Sequence, residues 1–539
     1  MRTSADSRSS TLDGLIQEII ALGRVLDQQS NGRISLSRPR SSLPHEITVT
    51  ALSVKSLEEG IIIKAESDVT IVDWDGPEDS ENPMNWPFKR KWVVTAILSG
   101  FTFISTVSSS MVAPAANQVA KEFGVTNTVV IAMTTSMFVL GQAFGPLFFA
   151  PLSEIYGRSH VLQFANLFYL VWNIACGGAK SQGQIIAFRF LSGLGGSAPF
   201  PIDGGVIGDC WRREERGQAI ALFTLAPLFG IALGPVAGAW IAELSSWRWV
   251  FWSTSIGAGV VQLLGLLFLR ETFAPLLLER KASRIKKQLG IISRDQSKVR
   301  TKFQSEERQW TSIFAKAIIR PFALFVREPV IQLLGLYMAF VYGIVYLTLT
   351  TLPDIFEGVY HFRVGIAGLH YLSLGVGLVI SNQINASISD RVYVYLKNRN
   401  EGVGKPEFRL PTMVLGTLCL PSGLLMTGWT SEKVAHWILP DIGIAILGAG
   451  MNLNIQGIQT YIIEAFSLYS ASALATVTCL RSLTGFGFPL FAPAMYDALG
   501  YGKSGTILAS AAILLGCPAP FLFWHYGERI RHLSLSVAD

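Results

Sequence analysis

Residues 189–211 read RFLSGLGGSAPFPIDGGVIGDCW. Gly193-Leu194-Gly195-Gly196-Ser197-Ala198 fits G-x-G-x-x-[GA], which cradles a pyrophosphate when it joins a strand to a helix inside a βαβ unit. No strand precedes it here. Gln184–Leu191 runs straight on as an apolar segment of membrane-helix character. The small residues therefore read as helix-contact positions, where short side chains let backbones approach. The same segment carries two charges, Arg189 and Asp203. They are 14 residues apart, about 40° from full register on an α-helix. Both can face the interior of a bundle, with Pro199 and Pro201 as points where the axis can bend.

The surrounding chain has the composition such a helix needs. Of 539 residues, 50% are hydrophobic and only 15% charged, against about 25% charged in an average soluble protein. Mean hydropathy is +0.40. Between Lys91 and Lys121 there is no charged residue, and none from Val125 to Ser153. A membrane helix needs about 20 mostly apolar residues. Twelve segments qualify: 92–114, 128–150, 160–179, 184–206, 217–241, 248–270, 329–352, 364–388, 411–429, 436–460, 472–496 and 504–526. These runs are too long for barrel strands, and backbone in hydrocarbon must bond within its own segment, so they are expected to be helices. The expected fold class is an all-α membrane protein with twelve transmembrane helices in two six-helix halves.

Lysine and arginine orient it. The stretch Glu271–Val326 holds twelve Lys/Arg and five Asp/Glu. Arg158, then Arg212, Arg213 and Arg216, and later Arg391, Lys397, Arg399, Lys405 and Arg409 fall on the same side. The opposite loops are short and carry few cations, such as Lys121 and Lys180. The positive-inside rule then places both termini in the cytoplasm. The expected division is a tail at 1–91, mostly disordered, a first half at 92–270, a central loop at 271–328, a second half at 329–526 and a tail at 527–539. LSEIYGR (152–158) and ISDRVY (388–393) end the second helix of each half. Two six-helix halves with a site between them is a transporter plan.

A charge inside a membrane span is a functional candidate by default. Arg189 and Asp203 are the proton-coupling candidates. The alternatives are an interhelical hydrogen-bond anchor for Arg189 and a hydrated acid near a helix end for Asp203. Helix one (92–116) holds no acid, so a coupling carboxylate must lie elsewhere. Asp354, Glu357 and Asp441 fall near the outer ends, where ordinary solvation explains them. Asn452, Gln456 and Gln459, at i, i+4 and i+7, share a face of helix ten, with Asn454 pointing away. Tyr342 and Tyr346 share a face of helix seven. Asn382 and Gln383 interrupt the apolar run of helix eight. Together with Phe486 and Phe488 these could line a polar-aromatic cavity, or the amides could serve as interhelical glue. Arg481 is a second buried cation or a cytoplasmic-end anchor.

Several stretches resemble the fungal transporters of the major facilitator superfamily, of the twelve-helix drug:proton antiporter type. They are VDWDGPEDSENPMNWPFKRKW (72–92), APLSEIYGRSHVL (150–162), RFLSGLGGSA (189–198), GDCWRREERG (208–217), PLFGIALGPVAGAW (227–240), WRWVFW (247–252), DRVYVYLKNRNEGVGKPEFRLP (390–411) and RSLTGFGFPLFAPAMYDALGYG (481–502). The resemblance runs from about Val72 to the last helix. Glu154 stands where many members have Asp, Ile155 replaces the usual following cation, and Ala239 replaces the last glycine of the helix-five signature. The resemblance implies that Gly230, Gly234, Pro235 and Gly238 form the antiporter motif. Apart from the resemblance, Glu154 and Arg158 are four residues apart and could form a charge network with Arg212 or Arg216, joined by Asp209 and echoed by Asp390 and Arg391, that latches the inner gate; the alternative is a static positive-inside loop.

The expected function is proton-coupled efflux of small organic molecules, such as drugs, toxins or a secondary metabolite. The alternatives are an importer of nutrients or polyamines on the same fold, and a non-transporting receptor. No nucleophile–base pair, metal-ligand spacing or G-x-x-x-x-G-K-[ST] loop occurs, so an enzyme and an ATP-driven pump are not expected. No cofactor is expected, the proton gradient being the driving force. Expected partners are the substrate, protons and the lipid bilayer, with no nucleic acid despite the net charge of +6, and the protein is expected to act as a monomer in the plasma membrane. Residues 1–91 show no secretory signal. Cys176, Cys210, Cys419, Cys479 and Cys517 read as packing residues. Residues 14–26 suit a short amphipathic helix. The N-x-[ST] sequence at Asn385 lies on the cytoplasmic side, where it would go unused.

Overall fold

The computed structural model describes residues 63–64, 70–212, 215–288, 299–302, 319, 322–466 and 470–532. The helix expected at 14–26 lies outside the described residues. Among the described residues, ten runs are long and apolar enough to cross a membrane. One of them, Ala473–Arg531, contains two crossings, because the helix Ser470–Gly516 breaks at Gly500 (φ 77, ψ 172). Helix three, Arg158–Gly177, adds another. Its polar residues are spent inside the bundle: Asn173 donates to Phe251 O, Thr254 Oγ1 and Ser255 Oγ, and Asn166 to Gln262, all on helix six. The twelve crossings expected from the sequence are therefore present.

In chain order the remaining helices are one (Phe88–Ser110), two (Thr128–Tyr156), four (Gln182–Gly196 and Pro199–Cys210), five (Arg216–Leu244) and six (Arg248–Phe268). Seven (Pro329–Pro353), eight (Val364–Leu369, then Tyr371–Arg399), nine (Pro411–Glu432) and ten (Ile438–Ala465) follow. Eleven ends at the Gly500 break, and twelve continues into Pro518–His532. Local signals set several ends. Asn127 accepts hydrogen bonds from the N–H groups of Val129 and Val130, and Ser181 from Gln184, which are N-caps for helices two and four. Helix four is interrupted where Pro199 removes a donor, as the sequence suggested. Asn382 and Gln383 leave the backbone of helix eight continuous.

The largest apolar core gathers residues of helices seven to twelve around Leu334, Tyr371, Met451 and Phe523 and reaches across the junction to Val139 of helix two and Leu228 of helix five. The first half packs around Leu98, Leu162 and Trp211 at its basic-loop end, and around Val119, Ile185 and Phe251 at the far end. At the basic end, β2 (Thr70–Val72) pairs antiparallel with β1 (Ile63–Lys64) and parallel with β3 (Val299–Thr301). Asp73, Asp75, Asp79 and Glu81 meet cations of the central loop. Lys281 bonds Asp75 and lies 3.7 Å from Asp79, Arg284 is 3.0 Å from Glu81, and Lys302 is 3.1 Å from Asp73.

Candidate functional site

Helix five lies between the halves because its two faces carry different small residues. The glycine face meets helix one of its own half. A Cβ on Gly230 would come within 2.8 Å of Thr106 Cβ, one on Gly234 within 2.5 Å of Ser110 Oγ, and one on Gly238 within 2.0 Å of Met111 O. The opposite face meets helix eight of the other half through Ala232 and Ala239. Cβ atoms built on Gly375 and Gly368 would approach them to 2.5 and 2.3 Å. The pairs run antiparallel, and the row ends where Glu243 accepts a hydrogen bond from Gly365 N–H. Pro235 sits inside helix five without ending it. At the centre, Tyr346 Oη and Ser109 Oγ are 3.1 Å apart across the two halves. Gly485 of helix eleven packs on Tyr346, Tyr342 and Val139 of helix two.

Arg189 and Asp203 do not meet. Arg189 is fully buried and donates to the carbonyls of Thr134 (3.1 Å), Ser108 (2.9 Å), Ser109 (3.5 Å) and Thr135 (3.3 Å). Its guanidinium also stands 4.6 Å from the Phe138 ring centre. That is the hydrogen-bond anchor among the alternatives, joining helices one, two and four. Asp203 is also fully buried. Its Oδ2 accepts from Thr102 Oγ1 at 2.8 Å, and its Oδ1 has no partner among the described residues.

The charge network differs from the expected one in its partners. Glu154 is exposed and forms no ion pair among the described residues. Arg158 turns instead to Asp209, with Nε 2.6 Å from Oδ2, because Gly205 leaves room for its guanidinium on helix four. Arg212 is exposed and donates to Asn85. The side chain of Arg216 lies outside the described residues. The sequence reading missed Glu271, which is buried at the end of helix six. It accepts from the N–H groups of Arg158 (3.0 Å) and Ser159 (3.3 Å) and lies 3.3 Å from His160 Nδ1. The signal was Gly157, whose φ of 97° is open to glycine at little cost and whose missing Cβ makes room for the Glu271 carboxylate.

In the second half Asp390 pairs with Arg409 (2.6 Å) rather than with Arg391, which is exposed. Arg409 also holds Glu464 at 2.7 Å. Burial alone would lower the pKa of Arg409, but its hydrogen bonds to Asp390 and Glu464 outweigh that and hold it above the usual arginine value. The two halves thus repeat one arrangement: an arginine at the start of helix three or just before helix nine, and an acid one residue before the end of helix four or ten.

The substrate-cavity candidates separate. Asn452 donates to Ser381 Oγ (3.0 Å) and Leu378 O (3.4 Å), and Gln456 to Asn382 Oδ1 (3.2 Å), so these amides tie helix ten to helix eight. Asn454 faces helix nine, against Gly416, as its register required. Phe488 fills the space over Gly343 of helix seven. Gln459 and Phe486 are half-buried. Tyr342 and Tyr346, with ring centres 5.3 Å apart, reach the junction between the halves. Arg481 joins them there, with its guanidinium 4.8 Å from the Tyr342 ring centre.

Two helical halves that meet along small-residue rows, with buried charge at membrane depth and paired basic-end ion clusters, define a multi-pass membrane carrier, a transporter rather than an enzyme. Residues 98–489 match the Major Facilitator Superfamily, and the chain belongs to that family. It is 45% identical to "Efflux pump vrtL" of Penicillium aethiopicum, over 87% of this chain and 92% of that one. It is 39% identical to "Efflux pump radE" of Floropilus chiversii, over 91% and 90%. Among solved structures it resembles the xylose transporter XylE of E. coli in a partially occluded inward open conformation. The TM-score is 0.61 at 15% identity, covering 81% of this chain and 98% of that one.

Proposed function

We propose that the protein exports small organic molecules, drugs, toxins or a secondary metabolite, in exchange for protons by alternating access. The observation that carries this reading is the 45% identity, over most of both chains, to a protein named an efflux pump. The site geometry supports it. The rows between helices five and eight close the end away from the basic loops, while the clusters Arg158–Asp209 and Arg409–Asp390–Glu464 each lie within one half. Such a structure can part at the basic end while the other end stays shut, and rocking about the central contact exchanges the two states. Asp203 takes the proton, being buried, with one oxygen unpartnered. Arg158–Asp209 and Arg409–Asp390–Glu464 brace the basic ends of the halves as they move. The basic end faces the cytoplasm by the charge rule, both termini lie there, the membrane is the plasma membrane, and one chain suffices.

The test is flux in proteoliposomes with an imposed pH gradient. Movement of substrate opposite to the proton gradient, abolished by a protonophore, is the expected result. Movement in the same direction as protons would make the protein an importer on this fold. Saturable binding without flux would make it a receptor.

A further inference from the structure

Arg189 and Arg481 both lie well inside membrane-spanning helices, and the fold treats them in opposite ways. Arg189 is enclosed and has four backbone carbonyls around it. Arg481 lies eleven residues beyond the start of helix eleven at Ser470, about 16 Å along the axis. Among the described residues no carboxylate pairs with it, and its Nε is buried without a hydrogen-bond partner. Its guanidinium rests on the Tyr342 ring. The side chain as a whole is only half-buried.

We propose that Arg481 is the recognition group of an organic-anion subsite at the junction of the two halves. This rests on the reading of the protein as an exporter, and it narrows the cargo to small organic anions with an apolar body. Three observations carry it. An ion held at membrane depth without a counter-charge is costly, so such residues pair or mark a substrate path. Arg481 faces the junction: Gly485, one turn further on, packs against Tyr342, Tyr346 and Val139, and Tyr346 bonds Ser109 of the other half. Helix eleven starts at the basic end, so Arg481 lies one turn nearer that end than Gly485 and the Tyr346–Ser109 contact, on the side from which an exporter loads. Finally, the guanidinium has a free fork of donors, and a carboxylate or a comparably delocalised oxyanion accepts such a fork through two parallel hydrogen bonds. Tyr342 and Tyr346 give the apolar body a surface.

The experiment measures equilibrium binding to the purified full-length protein in detergent near neutral pH, by fluorescence anisotropy. The probes are carboxyfluorescein, an anion, and rhodamine 6G, a cation of similar ring size. Wild type is expected to bind carboxyfluorescein saturably. Arg481→Gln should weaken this by about tenfold or more, while Arg481→Lys, which keeps the charge, loses less. Rhodamine 6G binding should not weaken in Arg481→Gln. Without ligand, Arg481→Gln should melt no lower than wild type, because it removes an unpaired charge. No carboxyfluorescein binding by wild type, equal binding by Arg481→Gln, equal losses for both probes, or a lower melting temperature in Arg481→Gln would each overturn the proposal. Binding needs no gradient and has no direction, so absent or reversed flux in vesicles would fail the exporter reading without changing this result.

Discussion

Arg158 Nε lies 2.6 Å from Asp209 Oδ2, and this pair joins the start of helix three to the end of helix four at the basic end of the first half. Asp209 also accepts from Thr272 Oγ1 at 3.4 Å, next to Glu271, so the pair is tied to the end of helix six. Both side chains are largely shielded, at 15% and 22% exposure, which places the pair between a surface bridge and a buried one. Asp209→Asn should cost about 1.5–3 kcal/mol, the range for hydrogen bonds to charged groups. Thermal unfolding in detergent checks this. A double variant exchanging the two charges, Arg158→Asp with Asp209→Arg, should recover part of the loss. No recovery would mean that the surroundings, Glu271 above all, fix the polarity of the pair.

Asp203→Asn keeps an acceptor for Thr102 Oγ1 but cannot titrate. Flux driven by a pH gradient should fall to background, while substrate-for-substrate exchange across the same vesicles continues. Unchanged gradient-driven flux would move the proton site to another residue.

Gly238 and Gly234 face helix one with different tolerance. The Cβ of Gly238→Ala would meet a backbone carbonyl, Met111 O, at 2.0 Å, whereas that of Gly234→Ala would meet the Ser110 hydroxyl at 2.5 Å, and Ser110 can rotate. Gly238→Ala should destabilise by about 1–3 kcal/mol, the usual cost of overpacking, and reduce transport. Gly234→Ala should be milder in both. Paired melting and flux measurements on the two variants decide it, and equal effects would refute the packing account.

Arg189→Lys should behave as a folding defect. A lysine offers one compact ammonium where the guanidinium reaches the carbonyls of two helices at once. Lower thermal stability with an unchanged pH profile of residual transport is the expected result. A shifted pH profile would return Arg189 to the proton path.

The segment around Asp73 should loosen in acid. Its partial burial would raise the pKa of Asp73, but the Trp74 N–H and the Lys302 ammonium outweigh that and hold it below the usual aspartate value. A depressed carboxylate stabilises the fold above its unfolded pKa of about 4, and that stability is lost as pH falls through the lower, folded value. The protection of amides in residues 70–86, taken relative to the intrinsic exchange rate at each pH, should therefore fall at strongly acidic pH. Asp73→Asn should show low protection already at neutral pH. Unchanged protection in either measurement would show that the β2–β3 pairing alone holds the segment.

The sequence by itself determined the twelve crossings, the division into halves and the basic end. Each follows from local composition, since a bilayer leaves an apolar run of this length little choice but a helix. It also determined which residues are small: the glycines of helix five are legible in the sequence, and at Gly238 an added Cβ would fall 2.0 Å from Met111 O. Tertiary structure alone decided the partners. Glu154 and Arg391 carry the right charge in the right loops yet face outward, while Glu271, Arg409 and Glu464 complete the clusters from the ends of other helices. Arg189 and Asp203 share a segment and a face, but the interruption near Pro199 and the neighbouring helices give one four carbonyls and the other a single hydroxyl. Arg481 looks like any arginine on a helix until the fold brings Tyr342 beneath it and, among the described residues, no carboxylate beside it. Charge partnership depends on distance in space between groups as much as 229 residues apart, as for Asp73 and Lys302, and periodicity within one helix cannot encode it.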